Sequence, residues 1–467
     1  MSNSNSNSYA LEKMLEEIDQ HIYTSIGDLS VDVWKTKEPV PYSDRKTGDH
    51  VSLLIGDRWG DLFDCAWMRF TSVIPDNIAG EKVVCIIDIS GEASVVDENG
   101  YPQYCLTTRY SQFGPPENDY EGQPVKKIIP ITEKCEGGKA IHFWADAGNN
   151  DLFGNLKNNG ELVEAYVAIQ NKEIYYLYYD YETVLDLCMH FEPETERFTE
   201  LLTALDKTMS VLGNFADESV QKAREILGAE LEKENTGKTL SISAIGHAHI
   251  DLAWLWPIRE TIRKGARTFS HTLHLMNEYD DYLFGASQPQ LYQWMKDLYP
   301  ELYIRMKNAI ENKRWEPLGG MWVESDTNIP NGESLVRQFL YGKAFFKKEF
   351  GHDLKNLFLP DVFGYSGAIP QIMKKSGVDY LNKSFLESVE NYNPDLILLG
   401  HSDSIYLETL EQIKNSNKSV QIAQWFEDNL DKSGPDPISN QRRLNQYDPF
   451  VKHNFITTHP SVLSFIK

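Results

Sequence analysis

The 467-residue chain carries 45 Lys and Arg against 69 Asp and Glu, a net charge of −24, which argues against nucleic acid and anionic membrane as partners. Hydrophobic residues make up 41% of it, as in ordinary globular domains, and no apolar run approaches the ~20 residues that span a bilayer. The opening M-S-N-S-N-S-N-S has neither the basic nor the apolar part of a secretory signal, and residues 1–8 read as a disordered tail. Cys65, Cys85, Cys105, Cys135 and Cys188 show no C-x-x-C spacing. They read as reduced thiols, and the chain as cytoplasmic.

Tyr9 to Tyr23 predicts a helix, with Leu11, Met14, Leu15, Ile18 and Ile22 on one face. Short strands follow at Trp67 to Ile74, Lys82 to Ile89, Val125 to Ile131, Ala140 to Ala145 and Leu162 to Ile169. Asn99-Gly100, between Val95-Val96 and Tyr104-Cys105, signals a hairpin. These strands predict a β-sandwich-like module within residues 9–190. The aromatic run Tyr175 to Tyr181 reads as a strand packed on a neighbouring domain, or else as a surface for sugar stacking. Helices near Pro193 to Leu212 and Ser219 to Lys233 form a helical linker region, 191–238, that ends in the polar segment Glu232 to Lys238.

From Thr239 strands and helices alternate, which predicts a parallel β/α domain over 239–385. The elements are a strand entering Gly246, a helix Pro257 to Glu278 and a strand Asp281 to Ala286. A helix Gln290 to Asn312, interrupted at Pro300, comes next, then a strand region Trp315 to Glu324 with a Gly-Gly break. Gly332 to Phe350 is a helix, Leu357 to Pro360 a strand, and Ala368 to Ser376 a helix ended by Gly377.

The chemistry gathers where these strands end. His247, His249 and Asp251 alternate at the end of the first strand, so their side chains share a face. Imidazole and carboxylate are donors that zinc accepts. Trp254 and Trp256 follow, and indole faces suit the apolar side of a sugar ring. Asp361 follows the strand Leu357 to Pro360, with Phe363 and Tyr365 beside it. Alone, an Asp before a Gly-rich turn is a turn residue; on the same sheet as the first cluster it becomes a candidate ligand or nucleophile. Trp322, Glu324 and Asp326 form a third group. They could grip sugar hydroxyls, although Asp326 could equally cap the next helix. An amidohydrolase-type metal site also opens on H-x-H, but it needs later strand histidines. His271 and His274 fall in a helix and His352 follows one.

The segments A-I-G-H-A-H-I-D-L-A-W-L-W, G-G-M-W-V-E-S-D-T-N-I-P-N-G-E-S-L-V-R-Q and L-P-D-V-F-G-Y-S-G-A-I-P-Q-I together resemble glycoside hydrolase family 38, the α-mannosidases, in its cytosolic and vacuolar branch. F-G-P-P and A-D-A-G-N-N-D-L-F-G are similar to that branch's N-terminal region, and the likeness covers roughly residues 10–383. The resemblance implies a retaining exo-α-mannosidase on a β/α barrel, acting on mannose-containing oligosaccharides. It implies one zinc ion, or another divalent metal, held by His249, Asp251 and Asp361. Asp361 would also be the nucleophile, Trp254 and Phe363 would shape the pocket for the terminal mannose, and His247 would lie beside the metal without binding it.

Past Lys383 the likeness stops. The family's fourth ligand, a distal His, and its acid/base Asp have no match here. L-I-L-L-G-H-S-D, Leu396 to Asp403, follows Asp361 too closely to be the acid/base segment. Strands at Asp395 to Gly400, Val420 to Trp425 and Asn454 to Thr457 give residues 390–467 a Rossmann-like character. N-P-D-L-I-L-L-G-H-S-D, Q-I-A-Q-W-F-E-D, D-K-S-G-P-D and F-I-T-T-H-P resemble part of a bacterial glycosyltransferase domain. The fold expected is therefore α/β: a β-sandwich-like module, an incomplete β/α barrel and a short Rossmann-like segment. Open barrel edges would favour a homo-oligomer. The activity expected is that of a glycosidase, or else zinc and mannoside binding without turnover.

Overall fold

The computed structural model describes residues 2–107, 126–150, 160–233, 244–378, 396–399, 407–426, 442, 447, 449–451 and 453–456. The chain divides into two compact units. The first comprises Met1–Thr236 and Ala253–His271, the second Gly237–Leu252 and Thr272–Lys467.

The first unit is built on two antiparallel sheets. One orders β1 (Tyr23–Asp28), β10 (Glu164–Gln170), β5 (Val83–Asp88) and β8 (Ile128–Thr132) as β1-β10-β5-β8. The other contains β2 (Ser30–Thr36), β3 (Asp49–Leu53), β4 (Cys65–Val73), β6 (Glu92–Val96), β7 (Pro102–Thr107) and β9 (Ala140–Gly148). Its order is β3-β2-β4-β9-β6-β7. Period-2 alternation sends Val33, Met68, Phe70, Val95 and Ala145 from this sheet, and Val83, Cys85, Ile87 and Val167 from the other, into one core. The β-sandwich expected from the sequence is thus present. The hairpin falls where predicted, with Val95 opposite Tyr104 and Gly100 at φ 88°, a conformation that favours glycine. Asp97 Oδ1 accepts from the amides of Asn99 and Tyr101 and closes the turn.

Four helices pack together around Leu177, Tyr181, Leu201, Leu205 and Leu227: α1 (Ser2–Ile22), α2 (Lys172–His190), α3 (Glu196–Leu212) and α4 (Asp217–Leu231). Two expectations change here. The first helix begins at Ser2, within the tract read as disordered. The aromatic run Tyr175 to Tyr181 is part of α2 and is not a strand. Aromatic residues favour strands by propensity, but Ile174, Leu177, Tyr181, Val184, Leu185 and Cys188 recur at helical spacing and are buried. Asn171 starts the helix by accepting from the Ile174 amide.

The outer face of the six-stranded sheet is ionic where α5 (Ile258–Glu278) lies on it. Glu92 and Asp146 stand on neighbouring strands and point away from the sandwich core. The α5 residues Glu260, Arg263, Lys264 and Arg267 meet them at i, i+3, i+4 and i+7. Arg263 holds Asp146 through two hydrogen bonds, 2.6 and 3.1 Å, and also pairs with Glu260. Glu92 Oε2 accepts from Lys264 Nζ at 2.6 Å, Arg267 Nη2 at 2.9 Å and Asn150 Nδ2 at 2.5 Å. All four α5 side chains, with Glu92, are nearly excluded from solvent. Three cations meet three carboxylates, so the lattice balances. A stripe of charges on a helix ordinarily faces water; this one is buried because the sheet supplies matching carboxylates.

In the second unit β11 (Gly246–His247), β12 (Phe284–Ala286) and β13 (Trp315–Pro317) form a parallel sheet in that order. The expected first strand over 239–245 lies outside the described residues for all but its last two positions, and so do most of the linker 232–238 and the segments F-G-P-P and D-L-F-G. Pro289 and Pro300 open α6 (Pro289–Leu298) and α7 (Pro300–Glu311), which is the break predicted at Pro300. Asn331 caps α8 (Gly332–Phe350), and Gly351 ends it at φ 77°. α9 (Ile369–Lys375) follows. Leu357 to Pro360 does not form the expected strand. Its neighbourhood is tied instead by single bonds, Gly320 N to Asn356 O and Gly319 N to Asn356 Oδ1, both 3.0 Å, and Pro360 has no amide to extend a ladder.

In the tail, β14 (Leu396–Leu399), β15 (Gln421–Phe426) and β16 (His453–Ile456) are parallel, with α10 (Leu407–Ser416) between the first two. D-K-S-G-P-D and much of the other quoted tail segments fall outside the described residues. Among the described residues no helix is long and apolar enough to cross a membrane.

Candidate active site

The three parallel strands of the second unit deliver the site from their C-terminal ends, where α/β folds place functional groups. β11 leads to His249 and Asp251, β12 to Ser287 and Gln288, and β13 to Glu324. Asp361 joins from the turn after Pro360. Ligand atoms of His249, Asp251 and Asp361 all lie within 4.8 Å of one another. His249 Nε2 is 3.4 Å from Asp251 Oδ1 and 3.4 Å from Asp361 Oδ2.

That spacing fits a shared cation. Two donors each ~2.0–2.1 Å from a tetrahedral ion stand ~3.3–3.4 Å apart. Charge argues the same way, because Asp251, Asp361 and Glu324 crowd one imidazole. The carboxylates, Asp251 first and Glu324 next, push the His249 imidazolium up to about 10, and a bound cation would take the place of that proton.

From the sequence Glu324 was one of the group that could grip sugar hydroxyls; in the structure it stands behind His249. Its side chain is 4% exposed, with Oε2 2.7 Å from His249 Nδ1, at ion-pair distance though off an ideal hydrogen-bond line. Ser287 Oγ donates to its other oxygen. Gln288 then ties two strand ends together: Nε2 donates to Ile250 O at 2.8 Å, and Oε1 accepts from the Glu324 amide at 3.1 Å. Gln288 holds φ 64° to do so, a strained conformation of the kind that clusters at functional sites. A carboxylate behind a ligand histidine fixes which nitrogen faces the metal. If the His249 cluster holds a divalent metal, Glu324→Gln is expected to lower its affinity ten- to a hundredfold, as loss of such a partner typically does. Competition against a chromophoric chelator measures this, and unchanged affinity would refute the orienting role.

The other candidates are placed as follows. His247 stays out of the cluster, its Nδ1 2.8 Å from Gly285 O and its ring edge-on to Phe358. Asp326 caps no helix; it accepts from the amides of Asn328 and Ile329 and makes a turn. Trp322 donates its indole N–H to Gln290 Oε1. Phe363, two residues beyond Asp361, is 77% exposed. In the first unit Trp254 is 52% exposed and stands edge-on to the buried Trp256. Ser287 and Gln288 were missed by the sequence reading. Their one signal was position, directly after an F-G-A strand end.

Residues 239–384 match the glycosyl hydrolases family 38 N-terminal domain, and residues 26–178 match the α-mannosidase jelly roll domain. The chain is 30% identical to alpha-mannosidase 2C1 of Mus musculus over 368 residues, 77% of this chain and 34% of that protein. It is 31% identical to alpha-mannosidase 2C1 of Homo sapiens, over 73% of this chain and 33% of that protein. It is 30% identical to the alpha-mannosidase of Saccharomyces cerevisiae, over 70% and 31%. The chain spans about a third of the length of these relatives. Both are domains found in α-mannosidases of glycosyl hydrolase family 38, and the chain resembles those glycosidases over about three quarters of its length.

Proposed function

We propose that this site is that of a zinc-dependent retaining α-mannosidase acting on terminal α-mannosyl residues of oligosaccharides. The observation that carries this reading is the convergence of His249 and Asp251, past the end of β11, with Asp361, from the turn after Pro360. A bound zinc would polarise sugar hydroxyls and keep nearby carboxylates ionised. Asp361 would attack the anomeric carbon as the glycosidic C–O bond breaks, giving a glycosyl ester. The leaving oxygen takes a proton from a general acid, and water then cleaves the ester. Phe363 would pack on an apolar face of the sugar, and the resemblance implies a pocket-shaping role for Trp254 as well. The five free, buried thiols fit a reducing compartment such as the cytoplasm.

A second reading is zinc and mannoside binding without turnover. Hydrolysis of an aryl α-mannoside by the full chain, with and without a chelator, separates the two. Chelator-sensitive turnover supports the mannosidase. Zinc binding with no turnover supports the second reading, and absence of zinc binding sinks both.

A further inference from the structure

The segments S-G-E (90–92) and A-D-A-G-N-N (145–150) take no part in the proposed chemistry, yet they are built closely around α5. Glu92 anchors Lys264, Arg267 and Asn150, and Asp146 anchors Arg263. Gly148 leaves them room: a Cβ there would fall 2.8 Å from Glu260 Oε2 and 2.9 Å from Arg263 Nη1. The lattice does not stop at the helix. Lys264 Nζ lies 4.5 Å from the centre of the Trp256 ring, and the Trp256 indole N–H donates to Thr261 Oγ1 at 2.9 Å. Trp256 is buried and meets the half-exposed Trp254 edge-on, with ring centres 6.2 Å apart.

We propose that Glu92 and Lys264 are positioning residues for the Trp254–Trp256 loop, acting through the Trp256 ring. Glu92 thereby reaches, through Lys264 and the Trp256 ring, the segment that carries Trp254. A desolvated cation over indole is a directional contact, and the buried carboxylate keeps that cation from leaving it. The role given to Trp254 rests on the mannosidase reading; the positioning of the loop does not.

The experiment compares the full chain with Lys264→Met, Lys264→Arg and Trp256→Phe. Trp256→Phe leaves every charge in place and serves if Lys264→Met fails to fold. Amide exchange across residues 252–257 is expected to quicken about tenfold in Lys264→Met and Trp256→Phe, and to recover in Lys264→Arg. KM for an aryl α-mannoside should rise several-fold with zinc affinity unchanged. Exchange in this loop that stays at the wild-type rate in both loosening variants overturns the proposal, whatever happens to the melting temperature. A wild-type chain that neither binds nor hydrolyses mannosides defeats the mannosidase reading alone, because the exchange comparison still decides the positioning.

Discussion

On the mannosidase proposal, Asp361→Asn is expected to remove turnover, by on the order of 10⁴-fold or more, as the loss of a nucleophile does in other covalent mechanisms. The substitution changes little in volume. It replaces an oxygen anion, which can form the ester, with an amide, which cannot. It also removes one of the two carboxylates 3.4 Å from His249 Nε2, so zinc affinity falls as well. The two effects separate at saturating zinc: the metal returns and the turnover does not. The measurement is steady-state hydrolysis of an aryl α-mannoside beside the zinc content of the purified variant. A variant that keeps more than about a tenth of wild-type rate excludes Asp361 as nucleophile. If the wild type itself shows no turnover, the zinc titration still tests Asp361 as a ligand.

The second large effect concerns stability. Arg263→Met strands the Asp146 and Glu260 carboxylates under α5. Breaking a buried ion pair from one side costs about 3–5 kcal/mol, which for a unit of this size lowers its unfolding midpoint on the order of ten degrees. Differential scanning calorimetry of the full chain reads the shift. Neutralising the stranded partners with Asp146→Asn and Glu260→Gln should restore part of it. A midpoint within about two degrees of wild type would show that the lattice carries no net stability.

How far the sequence spoke depended on where each signal resided. Strand alternation and the Asn99-Gly100 turn are local, so the sandwich could be read from them. The H-x-D spacing was legible as a candidate because it is uncommon at the end of an apolar strand; Asp361 was singled out from an expected strand that does not form, yet it lies beside His249. The aromatic run in α2 misled because its helical period is visible only once Leu177, Tyr181 and Val184 are known to be buried. The pairing of Glu324 with His249 was not legible because the two lie 75 positions apart in the chain, and the parallel sheet brings them together. The ionic face of α5 was illegible for the same reason. Arg263 and Lys264 look like solvent residues until Glu92 and Asp146 are placed opposite them.

The division of the chain has a consequence for its synthesis. The first unit is completed only by residues 253–271, which follow an excursion, 237–252, that belongs to the second. On the ribosome, Glu92 and Asp146 therefore emerge before any of α5 exists. At ~5–20 residues per second, the stretch from 237 to 271 takes roughly two to seven seconds to appear. For that interval the carboxylate face of the nascent sandwich stands open to water and to any passing cation or basic segment. The segment bearing His249 and Asp251 leaves the ribosome within the same interval, before α5 is complete.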